Sequence, residues 1–389
     1  MPQTFVAQLA ERDDWRPAQA GDAAPRPAVA AAAAQRDASA LVEYLRAKGF
    51  VFEPWQIAAF VAAVRAKPFV ILAGISGTGK TKLPGLLAEA TGGEAVVVPV
   101  RPDWTDGSEL LGFERLDRSF RPGALLEFSK RAHEAPDVEM FFILDEMNIA
   151  RVEYYLAEVL SRIEQRGDGR DGYATPPLLD GAPIVEDVDW STVGIPPNLC
   201  LVGSVNMDET TFGFSRKVLD RAFVIEFSKI DLRMIPALTE AVAVQWTSDE
   251  WRGAATTLTS HPEAQSPDLL EVIDVLVRVN EILETAQLQF GYRVRDEICL
   301  FWLASRDLHE QFVTSGGAQV DPLDLAVSMK VLPRIQGGGA SIALVLDSLH
   351  AWAKGADQGG AVRAFPFVAD RVELMQSRLK ESGFTSYWL

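Results

Sequence analysis

The sequence is poor in the residues that build disulfide frameworks and zinc sites. It has only two cysteines, Cys200 and Cys299, in 389 residues. They lie far apart and form no metal-binding or redox spacing, so we expect two reduced, buried thiols. The histidines are also few and scattered, at His133, His261, His309 and His350. A disulfide scaffold, a cysteine–histidine metal site and a histidine-based catalytic triad are therefore not expected.

Long apolar runs and an excess of positive charge are also lacking. No stretch is long enough to cross a bilayer, and the N-terminus has neither the basic nor the continuous apolar part of a secretory signal. The formal net charge is −17. Such acidity argues against a surface that binds nucleic acid everywhere, although a local basic channel stays compatible with it. We expect a soluble, cytoplasmic protein without a membrane contact.

The composition divides the chain into three parts. Residues 1–40 are rich in Ala and Pro, which favours a flexible tail. Residues 41–229 alternate short apolar runs with helical patterns, and residues 230–389 read as helices only. A segment rich in Gly, Pro and Asp, about 167–197, predicts an exposed loop or hairpin insertion within the middle part.

The fold class follows from the apolar runs of the middle part. Short, continuous apolar runs separated by helices are typical of buried parallel strands, and they predict an α/β protein with a doubly wound parallel sheet. Beyond residue 230 the pattern predicts a smaller all-helical domain. The five predicted strands are Pro68–Ala73, Glu94–Val100, Glu139–Leu144, Leu199–Val205 and Ala222–Phe227.

A phosphate-binding loop is the most specific motif of the sequence. Between a predicted strand and a predicted helix, the chain reads Gly74-Ile75-Ser76-Gly77-Thr78-Gly79-Lys80-Thr81, a complete Walker A motif. Its glycines let the backbone curl so that N–H groups, including those of Ser76 and Thr78, point at phosphate oxygens. Lys80 is expected to reach the β- and γ-phosphates, and the Thr81 hydroxyl to bind Mg²⁺.

Two further strands end in polar residues that complete such a site. Met140–Leu144 leads into Asp145 and Glu146, which match the Walker B acids. We expect Asp145 to hold Mg²⁺ and Glu146 to deprotonate the attacking water. Asn206, after the strand Leu199–Val205, is a candidate sensor of the γ-phosphate, or else caps a turn.

Several arginines and one glutamine are weaker candidates. Arg221, which leads into the last predicted strand, suits a finger that completes a neighbouring subunit's site, with Arg216 as the second choice. Arg293, rather than Arg295, is a candidate for a second contact with the nucleotide. Gln56 either hydrogen-bonds the base or belongs to a helix-start motif whose Trp55 lies in the core.

Seven segments resemble McrB-type AAA+ proteins, and together they cover roughly residues 41–389. The Asp-Glu-Met-Asn and Val-Asn-Met-Asp-Glu-Thr-Thr strings narrow the resemblance to this branch. The segments are Phe52–Gln56, Arg101–Asp106, Asp145–Arg151, Val202–Thr211, Val218–Ala222, Lys330–Arg334 and Gly383–Trp388.

The resemblance implies more than the motifs do by themselves. It implies a RecA-like αβα core with a helical lid, assembled as a hexameric ring with nucleotide between subunits. It also implies that the nucleotide is ATP, or GTP as in McrB, bound together with Mg²⁺. Similar proteins are motor subunits of DNA restriction systems that act with a separate McrC-type nuclease. Because no folded reader of modified bases precedes residue 41, target recognition and cleavage are expected in partner proteins, and DNA is expected to be contacted either directly or through them.

Two other functions stay open on the same residues. A MoxR-like AAA+ chaperone would hydrolyse nucleotide with the same motifs and remodel proteins rather than act on DNA. The second of these functions is a nucleotide-binding switch that no longer hydrolyses nucleotide. The presence of Lys80, Glu146, Asn206 and Arg221 argues against it.

Overall fold

The computed structural model describes residues 38–166, 174–181, 184–185, 188–207, 212–228, 232–233, 238–252, 257–355 and 363–388. The predicted N-terminal tail lies almost wholly outside this range. The predicted insertion lies only partly inside it. In its described part, two very short strands pair antiparallel, and the segment ends in buried side chains at Trp190, Val193 and Ile195.

A five-stranded parallel sheet forms the core, as the apolar runs predicted. The sheet strands are β1 Phe69–Gly74, β2 Glu94–Pro99, β5 Met140–Asp145, β8 Leu199–Asn206 and β9 Phe223–Glu226. They run in the spatial order β2-β5-β8-β1-β9, so that β1 lies between β8 and β9. Every residue of the inner strand β1 is buried, which is typical of a parallel sheet covered on both faces.

Three small antiparallel pairs accompany the sheet among the described residues. β3 Gly112–Glu114 pairs with β4 Phe120–Pro122, and β6 Ile184–Val185 pairs with β7 Val188–Asp189. β10 Gln336–Gly338 pairs with β11 Phe384–Ser386. This last pair lies within the predicted helical part, where the sequence indicated no strand, because its strands have only three residues each.

Helices cover the sheet and continue into the C-terminal part. Local signals explain several of their starts: Pro54 and Pro267 occupy first-turn positions, and the Ser266 side chain accepts a hydrogen bond from Leu269 N. The longer helices are Ser39–Ala47, Pro54–Ala66, Lys82–Thr91, Ala124–Glu134, Ala157–Glu164, Pro267–Glu284, Tyr292–Arg306, Pro322–Lys330, Ala340–Ala353 and Pro366–Ser382. Shorter ones are Ser108–Leu111, Val152–Tyr155, Arg216–Leu219 and Ser248–Arg252.

The C-terminal helices pack directly on the α/β core. The ring of Phe301 stacks on that of Phe223 in β9, with centroids 5.3 Å apart. The ring of Phe367 meets Trp55 edge-on at 5.1 Å. The contacts are apolar, so they hold the helical part against the core. Among the described residues, no helix is long and apolar enough to cross a membrane.

Candidate functional site

The phosphate loop joins β1 to the helix Lys82–Thr91 at the carboxyl edge of the sheet. Gly77 and Gly79 have φ values of 81° and 83°, a left-handed backbone that favours glycine. The loop borders a cavity of about 200 Å³ lined by Ser76, Gly77, Thr78, Gly79, Lys80, Thr81, Lys82, Asp145, Glu146 and Asn206. Gly74, the last residue of β1, stands at the entry of the loop, where a Cβ would lie 2.5 Å from the carbonyl oxygen of Phe227.

Lys80 is held inside the loop. Its side chain is buried, and its ammonium donates a 2.5 Å hydrogen bond to the carbonyl oxygen of Ile75. The Thr78 hydroxyl donates to the same carbonyl at 3.1 Å. These bonds shape the loop around its lysine and keep the positive charge at the cavity.

Thr81 and Asp145 meet at the point where a cation would bind. The Thr81 hydroxyl donates to Oδ1 of Asp145 at 2.6 Å, and the Ser204 hydroxyl donates to the same oxygen at 2.7 Å. The register of the sheet explains the second contact, since Leu144 of β5 pairs with Gly203 of β8. Asp145 and Ser204 are therefore neighbours across the two strands.

The adjoining carboxylate, Glu146, has a strained backbone and a fixed side chain. It adopts the left-handed conformation with a φ of 51°, which is uncommon for a residue with a Cβ and is concentrated at functional sites. Its N–H donates to the Ser204 hydroxyl at 3.0 Å, and Asn206 Nδ2 donates to its Oε1 at 3.0 Å. The neighbouring strand thus orients both the backbone and the carboxylate of Glu146.

Met147 anchors the turn that follows Glu146. It is fully buried, and the Tyr155 hydroxyl donates to its carbonyl oxygen at 2.8 Å. Its sulfur lies over Gly203, where a Cβ would come within 1.9 Å of it. The absence of a side chain at Gly203 therefore makes room for the Met147 side chain, which holds the turn after Glu146.

The donor set fits Mg²⁺. The Thr81 hydroxyl and the Asp145 carboxylate supply hard oxygens at the cavity, whose lining also includes Lys80. Within the described ranges, no group of three or more His, Cys, Asp or Glu residues could hold a metal. One carboxylate and one hydroxyl suit a cation that takes its remaining ligands from phosphate and water, as Mg²⁺ does.

The candidate arginines lie outside this cavity. Arg221 donates to the carbonyl oxygens of Leu160 and Lys217 at 3.1 and 2.6 Å, and it pairs with Glu164. Arg293 pairs with the other oxygen of Glu164. The hydrogen bond from Arg293 lowers the pKa of Glu164, so this carboxylate stays charged between the two guanidinium groups. The structure therefore brings Arg221 and Arg293 together at one acid.

The second-choice arginines have other surroundings. Arg216 is exposed at the start of its short helix. Arg295 pairs with its neighbour Asp296 at 2.6 Å and lies 4.9 Å from the ring of Tyr292. Neither of them lines the cavity in the described part of the chain.

Gln56 is placed in the helix-start motif rather than at the phosphate loop. Its Oε1 accepts from Glu53 N at 3.1 Å, and its Nε2 donates to the carbonyl oxygen of Glu226 at 2.9 Å. It lines a separate cavity of about 380 Å³, together with Trp55, which is buried. Both ends of the amide bond backbone groups, which favours the helix-start alternative for Gln56 over a contact with the base.

One residue beside the cavity, Ser204, and one in its lining, Lys82, carried no predicted role. Ser204 belongs to the segment Val202–Thr211, but its position beside Asp145 could have been deduced only from the strand order. Lys82 lines the cavity two residues beyond the loop lysine. A polar residue two positions before Asn206 on the same strand face was the signal for Ser204.

Comparison with known proteins agrees with the predicted resemblance. The chain is 28% identical over 175 residues to the McrB subunit of the type IV methyl-directed restriction enzyme EcoKMcrB of Escherichia coli K12. The match covers 43% of this chain and 35% of that protein, so the chain spans about a third of its relative's length. The predicted resemblance is confirmed: the chain is related to McrB.

Two other matches add less. A family model described as "Domain of unknown function (DUF8727)" matches residues 249–384. A crystal structure from Cytophaga hutchinsonii, described as a candidate ATPase, superposes with a TM-score of 0.46 at 12% identity. The superposition covers 76% of this chain and 86% of that one.

Proposed function

Since the chain is related to McrB, we propose that it is an AAA+ nucleoside triphosphatase that hydrolyses ATP, or GTP, with Mg²⁺. The observation that supports this most is the pair of hydrogen-bonded contacts at one cavity, Thr81 with Asp145 and Asn206 with Glu146. These four side chains come from two neighbouring strand ends, those of β5 and β8, and from the phosphate loop. Hydrolysis needs a phosphate cradle, a cation site and a base, and the residues that we propose for these three tasks lie side by side.

Each residue of the cavity has one task in this proposal. The loop N–H groups and Lys80 bind the β- and γ-phosphates, and Thr81 and Asp145 hold Mg²⁺, which neutralises phosphate charge when it is bound. Glu146 takes the proton of the attacking water. Asn206 keeps the Glu146 carboxylate aimed at that water, because it donates to one of its oxygens.

One component of the site, an arginine, is proposed to come from another subunit. Transfer of a phosphoryl group is accelerated by an arginine that stabilises the developing charge. In the described part of the chain, only lysines supply positive charge to the cavity lining, and Arg221 and Arg293 lie together at Glu164 instead. We propose that Arg221 completes the neighbouring subunit's site in a hexameric ring, with Arg293 beside it.

The biological role that we propose follows the relative. The chain would be the motor subunit of a DNA restriction or antiviral defence complex, in which a separate McrC-like nuclease cuts. With a net charge of −17, contact with DNA would be confined to a local channel or made through partners. A MoxR-like chaperone uses the same nucleotide chemistry, and it is the outcome to be distinguished by experiment.

Turnover of ATP and GTP, each with and without DNA, tests the proposal. We expect Mg²⁺-dependent hydrolysis that rises with protein concentration as rings assemble, and stimulation by DNA or a nuclease partner. Glu146→Gln should bind nucleotide but lose about 10²–10⁴-fold in turnover. Glu134→Gln, an exposed acid on the helix Ala124–Glu134, is the control.

Two results would contradict the proposal in different ways. Unchanged turnover in Glu146→Gln would remove the assigned base and with it the hydrolysis mechanism. Full hydrolysis that neither DNA nor a nuclease stimulates, but that a protein substrate does, would favour the chaperone.

A further inference from the structure

The turn that carries Arg221 is held from the C-terminal helices. Lys330, the last residue of the helix Pro322–Lys330, is fully buried, and its ammonium reaches the turn between the helix Arg216–Leu219 and β9. It donates to the carbonyl oxygens of Asp220 at 3.1 Å and Ala222 at 2.9 Å, and approaches that of Leu219 at 3.5 Å. The residues directly before and after Arg221 are therefore bound by one ammonium group.

A second cation from the same segment holds the same turn. Arg334, in the short 3₁₀ helix Leu332–Arg334, forms an ion pair with Asp220 at 3.0 Å and is 7% exposed. Lys330 and Arg334 are the charged residues of the Lys330–Arg334 motif, for which the cavity offers no role. Both of them contact the immediate neighbours of Arg221 in the chain.

The network also reaches the guanidinium of Arg221. Glu297 pairs with Lys330 at 2.5 Å, and it lies one helical turn after Arg293 on the helix Tyr292–Arg306. Arg293 in turn shares Glu164 with Arg221. The helix Tyr292–Arg306 is thus connected both to the backbone beside Arg221, through Lys330, and to the Arg221 guanidinium, through Glu164.

The attachment of the C-terminal helices to the core does not by itself explain why the Lys330 ammonium is buried at this turn. Lys67, after the helix Pro54–Ala66, already pairs with the other oxygen of Glu297 at 3.2 Å and joins the two parts. A buried ammonium is costly unless its donors find partners, and Lys330 places them on the carbonyl groups of this turn.

We propose that Lys330, together with Arg334, is a positioning residue for Arg221. The two cations fix the turn that aims Arg221 at a neighbour's phosphates, so hydrolysis in one subunit depends on the C-terminal helices of the next. This inference rests on the proposed role of Arg221 in a neighbouring site.

A comparison of two lysine variants is the first test of this inference. Lys330→Met should lower kcat at least about tenfold while nucleotide binding changes less than about twofold. Lys67→Met removes another buried lysine from the same carboxylate without touching the turn, and should keep its kcat. Thermal melting of each variant verifies that it is folded. Should Lys330→Met not fold, Arg334→Gln replaces it in every measurement.

The decisive measurement mixes each variant with Glu146→Gln subunits, whose own site is inactive but whose Arg221 is intact. Lys330→Met should regain turnover in the mixture, because the finger now comes from a Glu146→Gln neighbour. Arg221→Ala should regain it in the same way.

The outcomes separate the inference from the proposed function. Recovery of Arg221→Ala without recovery of Lys330→Met, or an equal loss of kcat in Lys67→Met, would overturn the positioning role alone. Failure of Arg221→Ala to recover would refute the finger itself, and the inference with it.

Discussion

Asn206 donates a 3.0 Å hydrogen bond to the Glu146 carboxylate, across the gap between two neighbouring strand ends. The residue expected to sense the γ-phosphate therefore also sets the orientation of the expected base. Any shift of β8 relative to β5 would change this distance. The pairing of Leu144 with Gly203 and the anchor at Met147 keep the two strand ends in register.

Asn206→Ala should lower kcat by up to about 10²-fold, since a misplaced base loses its alignment with the water. Nucleotide binding, followed with a fluorescent analogue, should change little. Asn280→Ala is the control, because that amide bonds only the backbone of Phe290 in the described structure and lies in the helix Pro267–Glu284. Equal losses of kcat in the two variants would contradict the role given to Asn206.

Thr81→Ala should shift the Mg²⁺ concentration needed for half-maximal turnover upward by at least about tenfold. The variant removes the hydroxyl that lies 2.6 Å from Asp145, whereas Thr81→Ser keeps it and should behave like the unchanged protein. Chelation of Mg²⁺ should abolish turnover in all three proteins. A Mg²⁺ dependence that is the same in Thr81→Ala and Thr81→Ser would exclude a metal ligand at this position.

Gly203→Ala should destabilise the fold by about 1–3 kcal/mol, because its Cβ would lie 1.9 Å from the buried Met147 sulfur. Denaturant unfolding measures the loss. Gly213→Ala is the matched control, since a Cβ added there would meet nothing within 4 Å and the φ of Gly213 is not in the left-handed region. The double variant Gly203→Ala, Met147→Ala should lose less free energy of unfolding than the two single variants lose together, as expected for residues in contact.

Stability should fall as the pH rises from about 4.5 to about 8, in part because of Glu139. This carboxyl is 1% exposed, and burial raises its pKa from 4.5 to about 8, against the lowering effect of Arg252. Between pH 4.5 and pH 8 the folded state keeps a proton that the unfolded state has released. The free energy of unfolding therefore falls by up to about 1.4 kcal/mol for each pH unit in this range.

Glu139→Gln removes that titration and should stabilise the protein at pH 8 by on the order of 1–3 kcal/mol, with little effect at pH 5. Denaturant unfolding at the two pH values is the measurement, with the exposed Glu134→Gln as control. An equal effect of Glu139→Gln at both pH values would show that the carboxyl does not titrate in this range.

The strand runs and the phosphate loop could be read from the sequence because their signals are local. All five predicted strands appear within one or two residues of their predicted ends. The small pair β10–β11 was not foreseen, since three residues per strand show no usable periodicity. Ser204 had no predicted role, because its partner Asp145 lies on a strand whose place beside β8 the sequence does not specify.

What the sequence determined by itself is the chemistry of the phosphate loop and its acids, because contiguous residues fix a loop and a strand end through their own backbone preferences. Only the tertiary structure decided the surroundings of Gln56, Arg221 and Arg293. Their partners lie 170, 57 and 129 residues away in the chain. No local pattern encodes these distant contacts, since packing within the α/β core brings the first two pairs together and packing of the helix Tyr292–Arg306 on the core brings the third.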